Sequence, residues 1–144
     1  ALIQGIGYAT ERIQHPVAIS DEGTALQESM RQALEGISPS EVDVIIPHAT
    51  GTLKGDLSEY HAIKEVFREN IPLLTSNKWK IGHTFAASGA LALQMAILML
   101  QKQTFLPIPY LESLPERPLR KILINATGFG GNAASILIGI SESS

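Results

Sequence analysis

The chain has no cysteine and only one tryptophan in its 144 residues. Without cysteine it can supply no disulfide, no zinc–thiolate site and no thiol nucleophile. Charge is scarce as well: 11 Lys and Arg stand against 14 Asp and Glu, for a net −3 and no basic run. That excludes nucleic acid as a main partner. Also missing is an uninterrupted apolar run of the roughly 20 residues a membrane span needs. The most apolar stretch, from Phe85 to Leu100, is broken by Ser88, Gly89 and Gln94, and is read as a buried helix; no membrane partner is expected. The opening ALIQGIGYATE lacks a basic, then apolar, secretory leader, so a cytoplasmic protein is expected. It also lacks an initiator Met, which suggests a piece of something longer. Hydrophobic residues are 44% of the chain, enough for a true core, and residues 1–144 read as one domain.

What is present centres on Asn77 to Gln103, NKWKIGHTFAASGALALQMAILMLQKQ. After two cations and a histidine this stretch turns helical and apolar on every side. Such a helix should be buried all round, in the middle layer of a globular protein. His83 just precedes it, where free N–H groups and the positive helix end favour anions.

Ahead of that stretch, Ala1 to Thr10 reads as a strand and Gln14 to Gly23 as a loop punctuated by Pro16. Asp21 or Thr24 is expected to cap a helix with Leu26, Met30, Ala33 and Leu34 on one face, ended by Gly36. VDVIIP (42–47) has the character of a strand buried in a parallel sheet. A loop, HATGTLKG (48–55), leads to a helix starting at Asp56, with Asp56 and Glu59 spaced as a capping box. Residues 72–76 form a third strand. Beyond the apolar helix lie a proline-rich connection (Phe105 to Arg120), the strand KILIN (121–125), the turn ATGFGGN (126–132) and a last strand, AASILIGI (133–140). The order β-α-β-α-β-α-β-β predicts an α/β fold with a five-stranded mixed sheet, helices on both faces and a terminal hairpin.

In such sheets the reactive loops lie beyond the carboxyl ends of the parallel strands. His48 follows the second strand, Lys78 and His83 the third, and Gly128, Phe129 and Gly130 the fourth. Two imidazoles meeting at one point can stabilise a developing enolate or oxyanion. They could also hold a metal, with Asp56 or Glu59 available in principle as a third ligand, but no HExxH-type motif is present, so no metal is expected. Lys78 and Glu59 can pair to fix the histidine loops. Thr50 and Thr52 can hydrogen-bond a polar ligand arm or simply satisfy the loop.

Together these segments resemble a known family. PHATGTLKGDLSEYHAI is similar to the His-Gly-Thr-Gly-Thr…Asp…Glu segment of the β-ketoacyl-acyl carrier protein synthases. NKWKIGHTFAASGA resembles their Lys-x-x-x-Gly-His-x-x-x-Ala-x-Gly segment, and NATGFGGNA their Asn-Ser-Phe-Gly-Phe-Gly-Gly-Thr-Asn turn. The resemblance implies the C-terminal half of a thiolase-like fold, with a cysteine-bearing N-terminal half absent. It implies decarboxylative condensation of an acyl thioester with malonyl-acyl carrier protein. His48 and His83 then hold the malonyl carbonyl, Lys78 orders the site with Glu59 as companion, and Phe129 is the gating residue. Thr50 and Thr52 meet the phosphopantetheine arm of the carrier protein, and the turn glycines Gly128 and Gly130 join them in binding substrate; no further cofactor is implied. Implied partners are the cysteine-bearing half or subunit, the acyl carrier protein and further copies of the chain. Ala49 departs from the family's Gly, Ala126 and Thr127 from Ser-Phe, and Asn132 and Ala133 from Thr-Asn. Alternatives are a non-catalytic partner subunit like a chain-length factor, a free-standing thioester-binding module, and a thiolase, whose corresponding turn usually bears cysteine.

Overall fold

A computed structural model describes residues 1–12, 14–15, 19–111, 115 and 117–140. Pro16 and residues 112–114 and 116 of the proline-rich connection lie outside that set. Strands β1 (Leu2–Thr10), β2 (Val44–Ile46), β3 (Leu73–Leu74), β4 (Lys121–Gly128) and β5 (Asn132–Gly139) form one sheet in the order β1-β5-β4-β2-β3. The β2–β3 and β2–β4 pairs are parallel, and β5 runs antiparallel to both neighbours. The expected mixed sheet and terminal hairpin are therefore present.

Alternation along the strands divides the core into two layers. Ile45, Leu123, Leu137 and Ala133 face α1 (Thr24–Ala33) and α2 (Leu53–Phe67). Val44, Ile46, Ile122, Ile124 and Ile138 face α4 (Ser88–Lys102). Period-two alternation between apolar neighbours is what a strand covered on both sides requires. A short helix, α3 (Lys78–Ile81), and a 3-10 turn (Phe85–Ala87) precede α4. α1 lies directly on β1: a Cβ at Gly5 would sit 1.9 Å from the Ala33 carbonyl oxygen, and one at Gly7 1.8 Å from that of Ser29. Only glycine permits this approach.

Several boundaries differ from expectation. α1 is capped neither by Asp21 nor by Thr24; its N-cap is Gly23, at φ 59°. The Glu11 carboxylate takes over, accepting from Thr24 Oγ1 at 2.6 Å, Ser20 Oγ at 2.6 Å and Ala25 N at 3.4 Å. α2 begins at Leu53, with Thr52 as N-cap, and not at Asp56. The proposed capping box is absent: Asp56 accepts from Gly51 N, while Glu59 turns beneath the His48 loop.

α4 is not buried all round in this chain. Ser88, Ala92, Ala96, Met99 and Leu100 are buried, whereas Leu98 is 45% exposed. The uncovered surface continues on the same side of the sheet. Ile3 and Ile6 pair with Ile138 and Ile136 and share their side, yet are 60% and 62% exposed. Phe85–Lys102 is long and apolar enough to cross a membrane by length and composition alone, at mean hydropathy 1.3 over 18 residues. Its packing on β4 and β5 makes it a layer helix with one bare side.

Candidate active site

The carboxyl ends of β2 and β4 and the loop after β3 open into one cleft of about 890 Å³. His48 arrives two residues after β2. His83 arrives just after α3, behind Gly82 at φ 74°. Their ring centroids are 5.2 Å apart and the rings nearly perpendicular, at 87°. Phe85 stacks at a tilt, 5.2 Å from His83. The two separate histidine loops thus reach one point, as the sheet topology predicts.

The imidazoles differ electrically. Burial, helped by the Lys78 cation and by His83, lowers the His48 pKa from 6.5 to about 4. His48 is accordingly neutral at pH 7 and offers one N–H donor and one acceptor. Lys78 itself is buried, and burial lowers its pKa against the pull of Glu59 and Asp56. It does not line the cleft. Nor does it form the contact-distance ion pair anticipated with Glu59: among the described residues that pair lies beyond 4 Å. The two interact through their fields.

Glu59 is occupied elsewhere. One carboxylate oxygen accepts the His48 N–H at 2.8 Å, and the other the Ala49 N–H at 2.9 Å. Asn125 Nδ2 donates to the first oxygen at 3.2 Å. Burial pushes the Glu59 pKa up and these donors pull it down. Three donors and no acceptor around one carboxyl describe an ionised group. Its bonds hold Ala49 at φ 30°, the left-handed region, where the family pattern has Gly.

Thr50 and Thr52 both line the cleft with their hydroxyl oxygens 3.3 Å apart. Gly128 and Phe129 also line the cleft, and Phe129 is 73% exposed. Gly130 is outside the lining but supplies the turn with φ 85°. Asn132 Nδ2 donates to the Phe129 carbonyl at 2.8 Å. Among the described residues no cluster of three His, Cys, Asp or Glu is placed to hold a metal.

Sequence reasoning missed Asn132 and Glu11 as parts of the cleft lining and Asn125 as a support behind it. Asn125 had a visible signal: a lone amide ending an apolar buried strand needs a polar partner inside the protein. Glu11 had none, because its partners, Ser20 and the first residues of α1, are brought to it only by the fold.

An α/β half-fold with paired histidines facing a glycine turn at the strand ends is the thiolase-like, ketosynthase class of architecture. The family described as beta-ketoacyl synthase, C-terminal domain, matches residues 1–112, and the chain belongs to it. The chain is 33% identical over 147 residues to 3-oxoacyl-[acyl-carrier-protein] synthase 1 of Haemophilus influenzae, an alignment covering 92% of this chain and 36% of that protein. It is 33% identical over 140 residues to synthase 2 of Mycobacterium leprae, covering 87% and 33%. Among solved structures it is similar to the ketosynthase ApeO in complex with its chain length factor ApeC from Xenorhabdus doucetiae, with TM-score 0.85, 30% identity and coverage of 96% and 39%. The chain therefore spans little more than a third of the length of these relatives.

Proposed function

We propose that this chain supplies the enolate-stabilising side of a 3-oxoacyl-[acyl-carrier-protein] synthase and works with a cysteine-bearing N-terminal half or subunit. The observation that carries the reading is the pair of imidazoles 5.2 Å apart at the cleft, one of them held neutral. The malonyl thioester carbonyl oxygen takes hydrogen bonds from His48 and His83. As the bond to the carboxylate breaks, carbon dioxide leaves, and its electron pair moves into an enolate whose charge rests on that oxygen. The enolate carbon then attacks an acyl thioester on the partner's cysteine and expels the thiolate. Condensation needs that covalent acyl group, so this chain has no condensing activity alone.

In this reading Thr50 and Thr52 bind the phosphopantetheine arm of an acyl carrier protein, and Gly128, Phe129 and Gly130 form the gate and its hinge. Glu59 and Lys78 set the histidine loop and its charge. The bare side of α4 and of β1 is covered by the missing half or by further copies of the chain, because an apolar face of this extent does not stay wet.

The test is reconstitution with the cysteine-bearing half, followed by carbon dioxide release from malonyl-acyl carrier protein. His48→Ala and His83→Ala should each lower the rate by about 100-fold, as expected for loss of an oxyanion donor. An assembled complex that decarboxylates equally well without either histidine would point instead to the non-catalytic subunit. A monodisperse monomer in concentrated solution, seen by light scattering, would refute the covered-face argument.

A further inference from the structure

Behind the His48 loop a chain of buried polar side chains crosses an otherwise apolar layer. Ser135 on β5 stands directly opposite Asn125 on β4. Ser135 Oγ donates to Asn125 Oδ1 at 2.8 Å, and Ser29 Oγ of α1 lies 2.9 Å from Ser135 Oγ. Ser29 and Ser135 are 0% exposed, and Asn125 is 2% exposed. Ser29 Oγ also donates to the Leu26 carbonyl at 3.1 Å, so its one proton is shared between that oxygen and Ser135 Oγ. With Asn125 Oδ1 so engaged, its Nδ2 faces outward and reaches Glu59 at 3.2 Å and Met30 Sδ at 3.4 Å. The next link is the Glu59 carboxylate, and beyond it the N–H groups of His48 and Ala49.

We infer that Ser135 is a positioning residue for the histidine loop, acting through the Asn125 amide and the Glu59 carboxylate. The inference rests on the reading of His48 as a working group of the site. Ser135 touches nothing in the cleft. The acceptor-only Glu59 carboxylate selects the amide nitrogen of Asn125, and the Ser135 hydroxyl holds that setting by donating to Oδ1 at the far end; an amide turned the other way would set an oxygen against a carboxylate. That reversal would release the clamp on His48 and Ala49. Ser29 shares a hydrogen bond with the Ser135 hydroxyl, so α1 is tied to the loop through hydrogen bonds as well as through packing.

Amide hydrogen exchange on the chain tests this without any activity measurement. In Ser135→Ala, exchange at His48 and Ala49 should rise about tenfold, the factor of one lost buried hydrogen bond. Glu59→Gln should raise it too, and the double variant should equal Glu59→Gln alone, because both act through one carboxylate. The His48 midpoint should move from about 4 toward 6.5 in Ser135→Ala as water reaches the loosened ring. A role in folding alone would give multiplying effects and an unmoved midpoint; either result overturns the inference. Should Ser135→Ala fail to fold, Ser29→Ala gives the same readings in smaller measure, and unchanged exchange there overturns it as well. Loss of histidine-dependent decarboxylation as a premise would show only in the reconstituted enzyme, so the two failures are distinguishable.

Discussion

Lowering pH should destabilise the fold through His48. The imidazole pKa falls from 6.5 to about 4 on folding, chiefly by burial. A group whose pKa is lower in the folded state binds its proton more readily unfolded. Stability is therefore full above pH 6.5 and declines as pH falls from 6.5 towards 4, where the folded state begins to take up the proton as well. At about 1.4 kcal/mol per unit the whole interval is worth about 3 kcal/mol. The ring is only partly buried, so screening reduces this to about 2 kcal/mol. Glu59 works in the opposite sense: its raised pKa favours the folded state at low pH, a contribution lost as pH rises through the folded value. The two are separated by comparing the chain with His48→Gln. Urea unfolding between pH 4 and 8 should show the parent losing about 2 kcal/mol more than the variant on acidification. Parallel curves would mean that His48 is not desolvated and would remove the case for its being neutral.

Three further perturbations test the scaffold. Ala49→Gly should stabilise by about 0.5–1 kcal/mol, since the left-handed φ of 30° costs an L-residue more than the flexibility glycine adds to the unfolded chain; a fall in denaturation midpoint would contradict this. Gly7→Ala would drive a Cβ to 1.8 Å from the Ser29 carbonyl oxygen, so α1 must lift from β1 at about 3 kcal/mol, measurable by chemical denaturation. Asp43→Ala removes the buried carboxylate that accepts Arg117 Nε at 2.6 Å, Arg120 N at 2.6 Å and Lys121 N at 2.8 Å. Two stranded backbone N–H groups should cost about 2–4 kcal/mol, with faster amide exchange at Arg120 and Lys121 as the local signature.

What the sequence made legible was what periodicity and topology govern. Ile45 and Leu123 go to one layer and Val44 and Ile46 to the other because successive strand residues must face opposite ways. The histidines converge because parallel strands release their loops at one edge. Glu59 was misread because its spacing from Asp56 fits a local motif, and only the fold shows two loop N–H groups competing for the same carboxylate. The caps of α1 were misread for the same reason: Glu11 is remote in sequence and adjacent in space.

The apolar helix shows where sequence reading and one chain's structure part. Its composition asks for cover on all sides, yet β4 and β5 cover one side and Leu98 remains 45% exposed. Ile3 and Ile6 on β1 repeat the pattern, each paired with an inward-facing isoleucine of β5 while itself 60% and 62% exposed. A sheet edge and a helix lying bare on the same side form one continuous surface. That surface is best explained by a second layer from outside these residues, and the proposed condensation calls for an outside nucleophile on separate, chemical grounds. The two deficits are independent, since apolar cover and a thiol need not come from one source. A single cysteine-bearing half would satisfy both. A homo-oligomer of this chain would cover the face and leave the site without its nucleophile, so decarboxylation without condensation is the outcome that tells those assemblies apart.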